Sequence, residues 1–200
     1  PDLHFVYPVN KTAQIKTDKV TSASFHDDWR QIMLEKKCSF TLQDWYDKIG
    51  LENKQGLINT QECQDIIKTL SLKSYESEYK IMIIWMAERL FHSAAHKLLK
   101  ILEEPPDKTL FILITEQPNQ LLATIRSRTQ LIKIPRYSHT EIAGFLQQKY
   151  LDPKRIQNIV TLTNGNIIAA AKLTDTQYQE DSPFEDFQKM MRLSFEFSAQ

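Results

Sequence analysis

Cysteine is scarce in this chain, and long apolar runs are missing. Only Cys38 and Cys63 occur in the 200 residues, and two thiols this far apart form neither a disulfide framework nor a zinc site. We therefore predict no metal site, and we expect the reducing environment of the cytoplasm. No stretch approaches the length of a transmembrane helix, so no membrane association is expected.

Glycine and net charge are low as well. Four glycines are present, and none of them belongs to the Gly-x-x-x-x-Gly-Lys pattern of a phosphate-binding loop. The 25 basic and 25 acidic side chains balance, so no overall field attracts the chain to nucleic acid. The sequence begins with Pro1 rather than methionine, and we expect it to be a piece of a longer protein.

Residues 79–128 carry the clearest structural pattern. Ile81–Trp85 and Leu110–Ile114 are short, branched apolar runs typical of strands buried on both faces. Between them, apolar residues at helical spacing predict one broad buried stripe, formed by Leu90, Phe91, Ala94, Ala95, Leu98, Leu99 and Leu102. The two prolines at 105–106 end this helix. A strand, a helix and a strand in this order predict parallel pairing and an α/β fold.

The residues before this unit predict two more of its elements. Leu3–Tyr7 reads as a short strand. A helix begins at Asn59 or Thr60 and runs through Thr69, since Ile66 and its apolar neighbours lie on one face.

The polar segment at about 15–59 interrupts this order. Ser24–Lys36 is typical of a helix, and Thr41 caps a second helix that runs through Ile49. One interpretation is a helical insertion packed by its own aromatic side chains. The alternative is that Trp29 and Trp45 form, with nearby lysines, a stacking surface for single-stranded nucleic acid.

The end of the chain changes from strand to helix. Gln130–Ile134 is predicted to be a last strand, ended by a proline. Three helices follow, beginning at Ser138 or His139, at Pro153 and at Ile167. A polar linker over Thr174–Pro183 and a helix over Phe184–Phe197 complete the prediction.

Three motifs then occur in order: LLKILEEPP at 98–106, FILIT at 111–115 and TIRSR at 124–128. Together they resemble the AAA+ subunits of the bacterial replicative clamp loader. The opening PDLHFVYP resembles subunits of the delta-prime type in particular.

This resemblance implies a domain organisation. Residues 1–137 would be a partial AAA+ parallel-sheet base that contains the insertion at about 15–59. Residues 138–175 would be a small helical lid. Residues 176–200 would be a linker and the first helix of a following helical domain.

The resemblance also assigns the nucleotide-binding positions. The Walker-B acids of AAA+ ATPases correspond to Trp85 and Met86, which cannot bind magnesium or accept a proton. Thr115 is at the sensor-1 position, and Ile168 is where the sensor-2 arginine would fall. We therefore expect no intrinsic ATPase activity and no bound cofactor on this chain.

Ser127, Arg128 and Thr129 match the clamp-loader serine–arginine–cysteine motif, with threonine in place of cysteine. The resemblance implies that Arg128 acts in trans as an arginine finger on a neighbouring subunit. The alternative is that Arg126 and Arg128 are exposed arginines in surface ion pairs. Glu103 and Glu104 end a helix, where the macrodipole disfavours acids, so we expect a basic group nearby rather than catalysis.

The function implied is that of a non-catalytic AAA+ subunit that helps load the sliding clamp onto primed DNA. Its partners would be the other clamp-loader subunits, the clamp and DNA, with ATP and magnesium held by the neighbouring subunit. One alternative is an ATP-hydrolysing gamma/tau-type subunit. The other is a nucleic-acid adaptor that uses the aromatic insertion.

Overall fold

The computed structural model describes residues 2–17, 19–51, 54–72, 75–149 and 152–175. The chain divides into two compact units, Pro1–Lys133 and Ile134–Gln200. The predicted helix over Phe184–Phe197 and most of the predicted linker lie outside the described residues. The assignment of an AAA+ base and a lid to these parts of the chain stays a prediction.

A three-stranded parallel sheet organises the first unit. Its strands are β1 (Leu3–Val6), β2 (Lys80–Trp85) and β3 (Thr109–Ile114), in the spatial order β1-β2-β3. Val6 lies beside Ile84 in the register of the first pair, and Ile84 lies beside Leu113 in the second. The predicted α/β class is confirmed, and three of the four predicted strands form within one residue of their expected bounds.

Two helices cover one face of this sheet. They are α3 (Thr60–Ser71) and α4 (His92–Glu103). The Asn59 side chain caps α3 by accepting a hydrogen bond of 3.0 Å from the Glu62 backbone N–H, as expected of an N-cap residue. The core between helices and sheet contains Val6, Ile58, Cys63, Ile66, Leu70, Met82, Ile84, Ala94 and Leu98.

The start of α4 differs from the prediction. Leu90 and Phe91 precede the helix, although their spacing assigned them to its apolar stripe. The reason is a backbone bridge: the Phe91 N–H donates to the Ile58 carbonyl at 2.9 Å, and the Ile58 N–H donates to the Arg89 carbonyl at 3.0 Å. This pairing holds the chain extended for two more residues.

The segment between β1 and α3 forms a small aromatic core. It contains a 3-10 turn at Ser22–Phe25, α1 (His26–Glu35) and α2 (Leu42–Lys48). Trp29 and Trp45 are 5% and 0% exposed, so neither ring offers a face to a nucleic-acid base. The predicted packing of this segment by its own aromatic side chains is confirmed, and the stacking surface is wrong. That the segment is an insertion stays a prediction.

Two contacts tie this core to the end of β1. The Trp29 ring stacks on Tyr7, with centroids 4.0 Å apart. The Trp45 indole N–H donates to the Pro8 carbonyl at 2.9 Å. The rings of Trp29 and Trp45 thus both contact residues that directly follow β1.

The predicted strand over Gln130–Ile134 does not form. Leu131 and Ile132 are 74% and 77% exposed, and residues 130–134 have no strand assignment. A strand needs a neighbour that exchanges backbone hydrogen bonds with it. Among the described residues no strand lies beside this segment. Its branched apolar composition is therefore not sufficient to form a strand.

The described part of the second unit contains three helices, α6 (His139–Gln147), α7 (Pro153–Thr163) and α8 (Ile167–Asp175). Ser138 caps α6 in a capping box, with its hydroxyl and backbone N–H bound to the Glu141 carboxylate. The buried side chains of this unit are Ile142, Leu146, Ile156, Ile159, Val160 and Ala170. All three helices were predicted, and none of the described helices is long and apolar enough to cross a bilayer.

The Asp2 carboxylate fastens the segment that leads into β2. It accepts hydrogen bonds from the backbone N–H groups of Tyr75, Glu76 and Ser77, at 2.8, 2.7 and 2.7 Å. These three donors stabilise the charged form and lower the pKa of Asp2 to about 2.

We expect Asp2→Asn to lower the Tm at neutral pH, because an amide presents one acceptor oxygen and no charge. The folded pKa of Asp2 is below its unfolded value, so its contribution is present above roughly pH 4 and is lost as the pH falls toward 2. The difference in Tm between the two proteins should therefore narrow in acid. Asp107→Asn, in the exposed turn before β3, is the control, and a constant difference for Asp2→Asn at every pH would refute this account.

Candidate functional site

The carboxyl ends of β2 and β3 meet at one edge of the sheet. Trp85, the last residue of β2, lies beside Ile114 at the end of β3. Met86 and Thr115 follow directly at the same edge. Ligands of parallel α/β sheets bind outside the carboxyl ends of the strands. The structure thus brings together three of the positions that the sequence singled out.

Trp85 belongs to the aromatic core rather than to an open site. Its ring centroid lies 5.3 Å from that of Trp29 and 5.4 Å from that of Phe40. Met86 is 3% exposed and adopts a left-handed backbone conformation, with φ of 54°. Neither side chain carries an oxygen, so neither side chain can serve as a ligand for a hard cation.

The polar groups at this edge are bound to neighbouring backbone. Glu88, in the 3-10 turn Ala87–Arg89, accepts a hydrogen bond from the Glu116 N–H at 3.2 Å. Its other carboxylate oxygen is buried and has no hydrogen-bond partner among the described residues. The Thr115 hydroxyl accepts from the Gln117 N–H at 3.1 Å. These contacts link the end of β2 to the turn after β3.

Arg128 lies just after the short helix α5 (Ala123–Arg126). Its Nη1 donates to the Thr124 carbonyl at 3.0 Å and to the Ser127 hydroxyl at 3.2 Å. Its Nη2 lies 2.5 Å from the Glu103 carboxylate, and the Arg128 side chain is 35% exposed. The guanidinium is held in place and still reaches solvent.

Arg128 is the basic group that pairs with Glu103 at the end of α4. The end of α4 was expected to have a basic group nearby, and the structure identifies it as Arg128. The macrodipole argument indicated the need for a cation but not which one, because the two residues are distant in sequence. Arg126, by contrast, is exposed, and its side chain has no hydrogen bond or ion pair among the described residues.

Arg128 is placed away from the edge that carries Trp85 and Thr115. The helix of a parallel crossover runs antiparallel to its strands, so α4 returns from the end of β2 to the start of β3. Its last residue, Glu103, therefore lies near the amino ends of the strands. The Arg128 bound to Glu103 lies at the same end of the sheet. The Thr129 hydroxyl donates to the Ile125 carbonyl at 3.1 Å. This hydrogen bond stabilises the turn that contains Arg128.

Ile168, the remaining predicted position, belongs to the second unit. It lies in α8 and is partly buried. The helix contains one basic residue, Lys172, and no arginine. A residue of this kind offers no charge to a phosphate.

Residues 1–138 match the model of a protein family described as DNA polymerase III, delta subunit. The chain belongs to this family. The delta-prime-type resemblance seen in the motifs is thereby confirmed.

Individual members of the family are similar over parts of their length. The delta-prime subunit of DNA polymerase III from Bacillus subtilis is 34% identical over 127 residues, which cover 63% of this chain and 38% of that protein. The delta-prime subunit from Buchnera aphidicola is 27% identical over 168 residues, covering 84% of this chain and 44% of that protein. The chain thus spans less than half the length of these relatives.

Among solved structures, a gamma-subunit-related protein of DNA polymerase III from Thermotoga maritima is similar with a TM-score of 0.45 and 24% identity. The match covers 58% of this chain and 38% of that one. The score is low, and the fold described above rests on the strand order and register alone.

We expect Trp85→Asp, which returns an acid to the Walker-B position, to destabilise the protein instead of creating a magnesium site. The change removes ring contacts to Trp29 and Phe40 and places a carboxylate against an aromatic core. The expected loss is about 3 kcal/mol, the lower end of the range for removing a large aromatic side chain. Chemical denaturation measures it.

Trp85→Phe is the matched control, because it keeps an aromatic ring at the same place. It should lose less than half as much stability as Trp85→Asp. Equal stability of Trp85→Asp and the unmodified chain would mean that this edge of the sheet is open.

Proposed function

We propose that this chain is a clamp-loader subunit that does not hydrolyse ATP itself and offers Arg128 to the ATP of a neighbouring subunit. Membership of the DNA polymerase III delta-subunit family supports the first part. The position of Arg128 is the single observation that carries the second. Its side chain is 35% exposed, and it is bound to Glu103 at the end of α4 rather than to the strand ends that carry Trp85 and Met86.

The chemistry of Arg128 suits this task. A guanidinium is always charged and presents five N–H donors in a rigid fork, which match two oxygens of a phosphate. The contacts to Thr124, Ser127 and Glu103 orient the group and leave donors for a further anion. A finger held in this way needs little reorganisation when the neighbouring phosphate arrives.

Glu103 has a second role in this proposal. In the single chain its carboxylate occupies the guanidinium at 2.5 Å. In the assembled loader a phosphate competes with this carboxylate for the same donors. Glu103 thus keeps Arg128 in place before assembly. When the loader assembles, the ion pair between Glu103 and Arg128 becomes weaker.

The wider assignments belong to the same proposal. The partners are the other clamp-loader subunits, with the sliding clamp and primed DNA reached through the assembled complex in the cytoplasm. Residues 1–137 act as a partial AAA+ base, 138–175 as its lid, and 176–200 lead into a following helical domain. ATP and magnesium belong to the neighbouring subunit.

An ATP-hydrolysing gamma/tau-type subunit is the second candidate. It needs acids at the end of β2 and a basic sensor in α8, and Trp85, Met86 and Ile168 supply neither. A nucleic-acid adaptor loses its main support, because Trp29 and Trp45 are buried.

We expect this chain to bind MgATP no more tightly than millimolar and to show no turnover, because Trp85 and Met86 provide no ligand for magnesium. Isothermal titration calorimetry and phosphate release measure the two properties. Micromolar binding, or turnover above that of a heat-denatured sample, would favour the ATPase assignment instead.

We expect Arg128→Ala in the full-length protein to leave the subunit folded and to lower the ATPase activity of the assembled loader. An arginine finger contributes on the order of a thousandfold or more at the site it serves. The loss in the whole machine will be smaller, because other sites continue to turn over. Steady-state ATPase assays and the Tm of the free subunit measure both effects.

Two variants distinguish a finger from a structural arginine. Arg126→Ala, two residues away and without a described partner, should leave the ATPase unchanged. Glu103→Gln should lower the activity far less than Arg128→Ala, because the contacts to Thr124 and Ser127 still orient the guanidinium. The proposal fails if Arg128→Ala unfolds the subunit, or if Glu103→Gln and Arg128→Ala lower the ATPase equally.

A further inference from the structure

A groove runs between α3 and α4 on the side that is open to solvent. The two helices begin side by side, because Ile58 and Leu90, just before them, form a parallel backbone bridge. They then run in the same direction, as the helices of two successive parallel crossovers do. The groove between them has a volume of about 800 Å³, and both of its walls consist of described residues.

The floor of the groove is apolar. Leu70 of α3 is buried and Ile101 of α4 is half-buried, and both line it. Ile67, on the α3 wall, is 44% exposed, although the preceding Ile66 belongs to the core. Branched side chains exposed inside a concave surface, rather than singly on a convex one, are typical of an interaction site.

The α4 wall is basic. Lys97 and Lys100 lie one turn apart on it, and both side chains are exposed. Among the residues that the structure describes, neither ammonium group has an ion-pair partner. Glu104 is the one acidic residue among those that line the groove, and it lies at the end of the wall, just after α4.

We propose that this groove binds an acidic amphipathic helix of a partner protein. Such a helix lays its apolar face into an apolar groove, here onto Ile67 and Ile101. Its acidic side chains then pair with Lys97 and Lys100. This inference does not depend on the proposed clamp-loader function.

The charges at the two ends of the groove set the direction of the bound helix. The carboxyl ends of α3 and α4 have a partial negative charge, and Glu104 adds a full one. The partially positive amino end of the partner helix therefore lies at Glu104, so that this helix runs antiparallel to α3 and α4. From His96 to Glu104 the wall is about 12 Å long at 1.5 Å per residue, which fits two to three turns.

A nucleic-acid strand fits the groove less well than a peptide. Glu104 repels a phosphate, and Ile67 and Ile101 offer no hydrogen-bond donor to one. Phosphate-binding surfaces need several cations along the path of the backbone. Two lysines above an apolar floor match a few carboxylates on one face of a helix.

Sequence reasoning placed His96, at one end of this wall, at the surface or in an interface. The groove itself was not predicted. Its walls come from two helices that are distant in the sequence, and the spacing of residues within α4 shows only which side chains share a face. Which helix faces them is a property of the tertiary structure.

The experiment uses the full chain and a fluorescein-labelled helical peptide of about 14 residues, with leucines at helical spacing and glutamates on the flanking positions. A second peptide has lysine in place of every glutamate. Fluorescence anisotropy measures the affinity of each peptide at low and at high salt. The variants are Lys97→Glu combined with Lys100→Glu, and Ile67→Gln. Lys36→Glu combined with Lys133→Glu is the matched control, because these lysines are exposed and lie outside the groove.

We expect the acidic peptide to bind in a one-to-one complex that salt weakens, and the lysine peptide not to bind. Reversing both groove lysines should weaken binding by at least about tenfold, because two attractive pairs become repulsive. Ile67→Gln should weaken it about fivefold through lost apolar contact. All variants should keep the Tm of the parent, because every replaced side chain is exposed.

Three results would overturn the proposal. The first is no binding of the acidic peptide, or equal binding of both peptides. The second is an equal loss of affinity in the control variant, which would mean that the attraction belongs to the whole surface. The third is a dimer of the chain, seen by sedimentation velocity, that the reversal of Lys97 and Lys100 abolishes, since a second copy would then be the occupant.

Discussion

The packing of β2 against two hydrophobic cores is the constraint on which the first unit depends. Met82 and Ile84 point into the core formed with α3 and α4. Trp85, at the end of the same strand, packs into the aromatic core of the insertion. One six-residue strand therefore joins two cores, and its side chains serve packing at positions where an ATPase of the AAA+ type would place acids.

This use of the strand end supports the prediction that no magnesium ion binds at this edge. A Walker-B acid needs a polar, open environment with room for a hydrated ion. Here the space beside β2 contains Trp29 and Phe40. The aromatic core thus extends to the position at which the family resemblance predicts an acid.

The pair of Arg128 and Glu103 connects packing to the proposed function. A carboxylate at the end of α4 is disfavoured by the helix macrodipole, and the guanidinium compensates for it. The same contact orients Arg128 at the edge away from Trp85. A group held by a neighbouring acid is preorganised for another anion, which is what a finger acting on a second subunit requires.

The sequence by itself determined the elements and their type. Branched apolar runs at 81–85 and 110–114, with an amphipathic helix between them, correctly predicted parallel strands. The prediction that both faces of β3 are buried is wrong, since Leu110, Ile112 and Ile114 are exposed on one face. Capping residues such as Asn59, Thr41 and Ser138 located helix starts, because caps act through local hydrogen bonds. The delta-prime-type motifs likewise appear in contiguous residues.

Only the tertiary structure decided which distant residues meet. Residues 130–134 have the composition of a strand but no neighbour to pair with, and Leu90 and Phe91 were drawn out of α4 by Ile58. The partners of Arg128 and Trp85 are also non-local. Such contacts depend on register, rotamers and the direction in which each element packs, and residue spacing alone carries none of these.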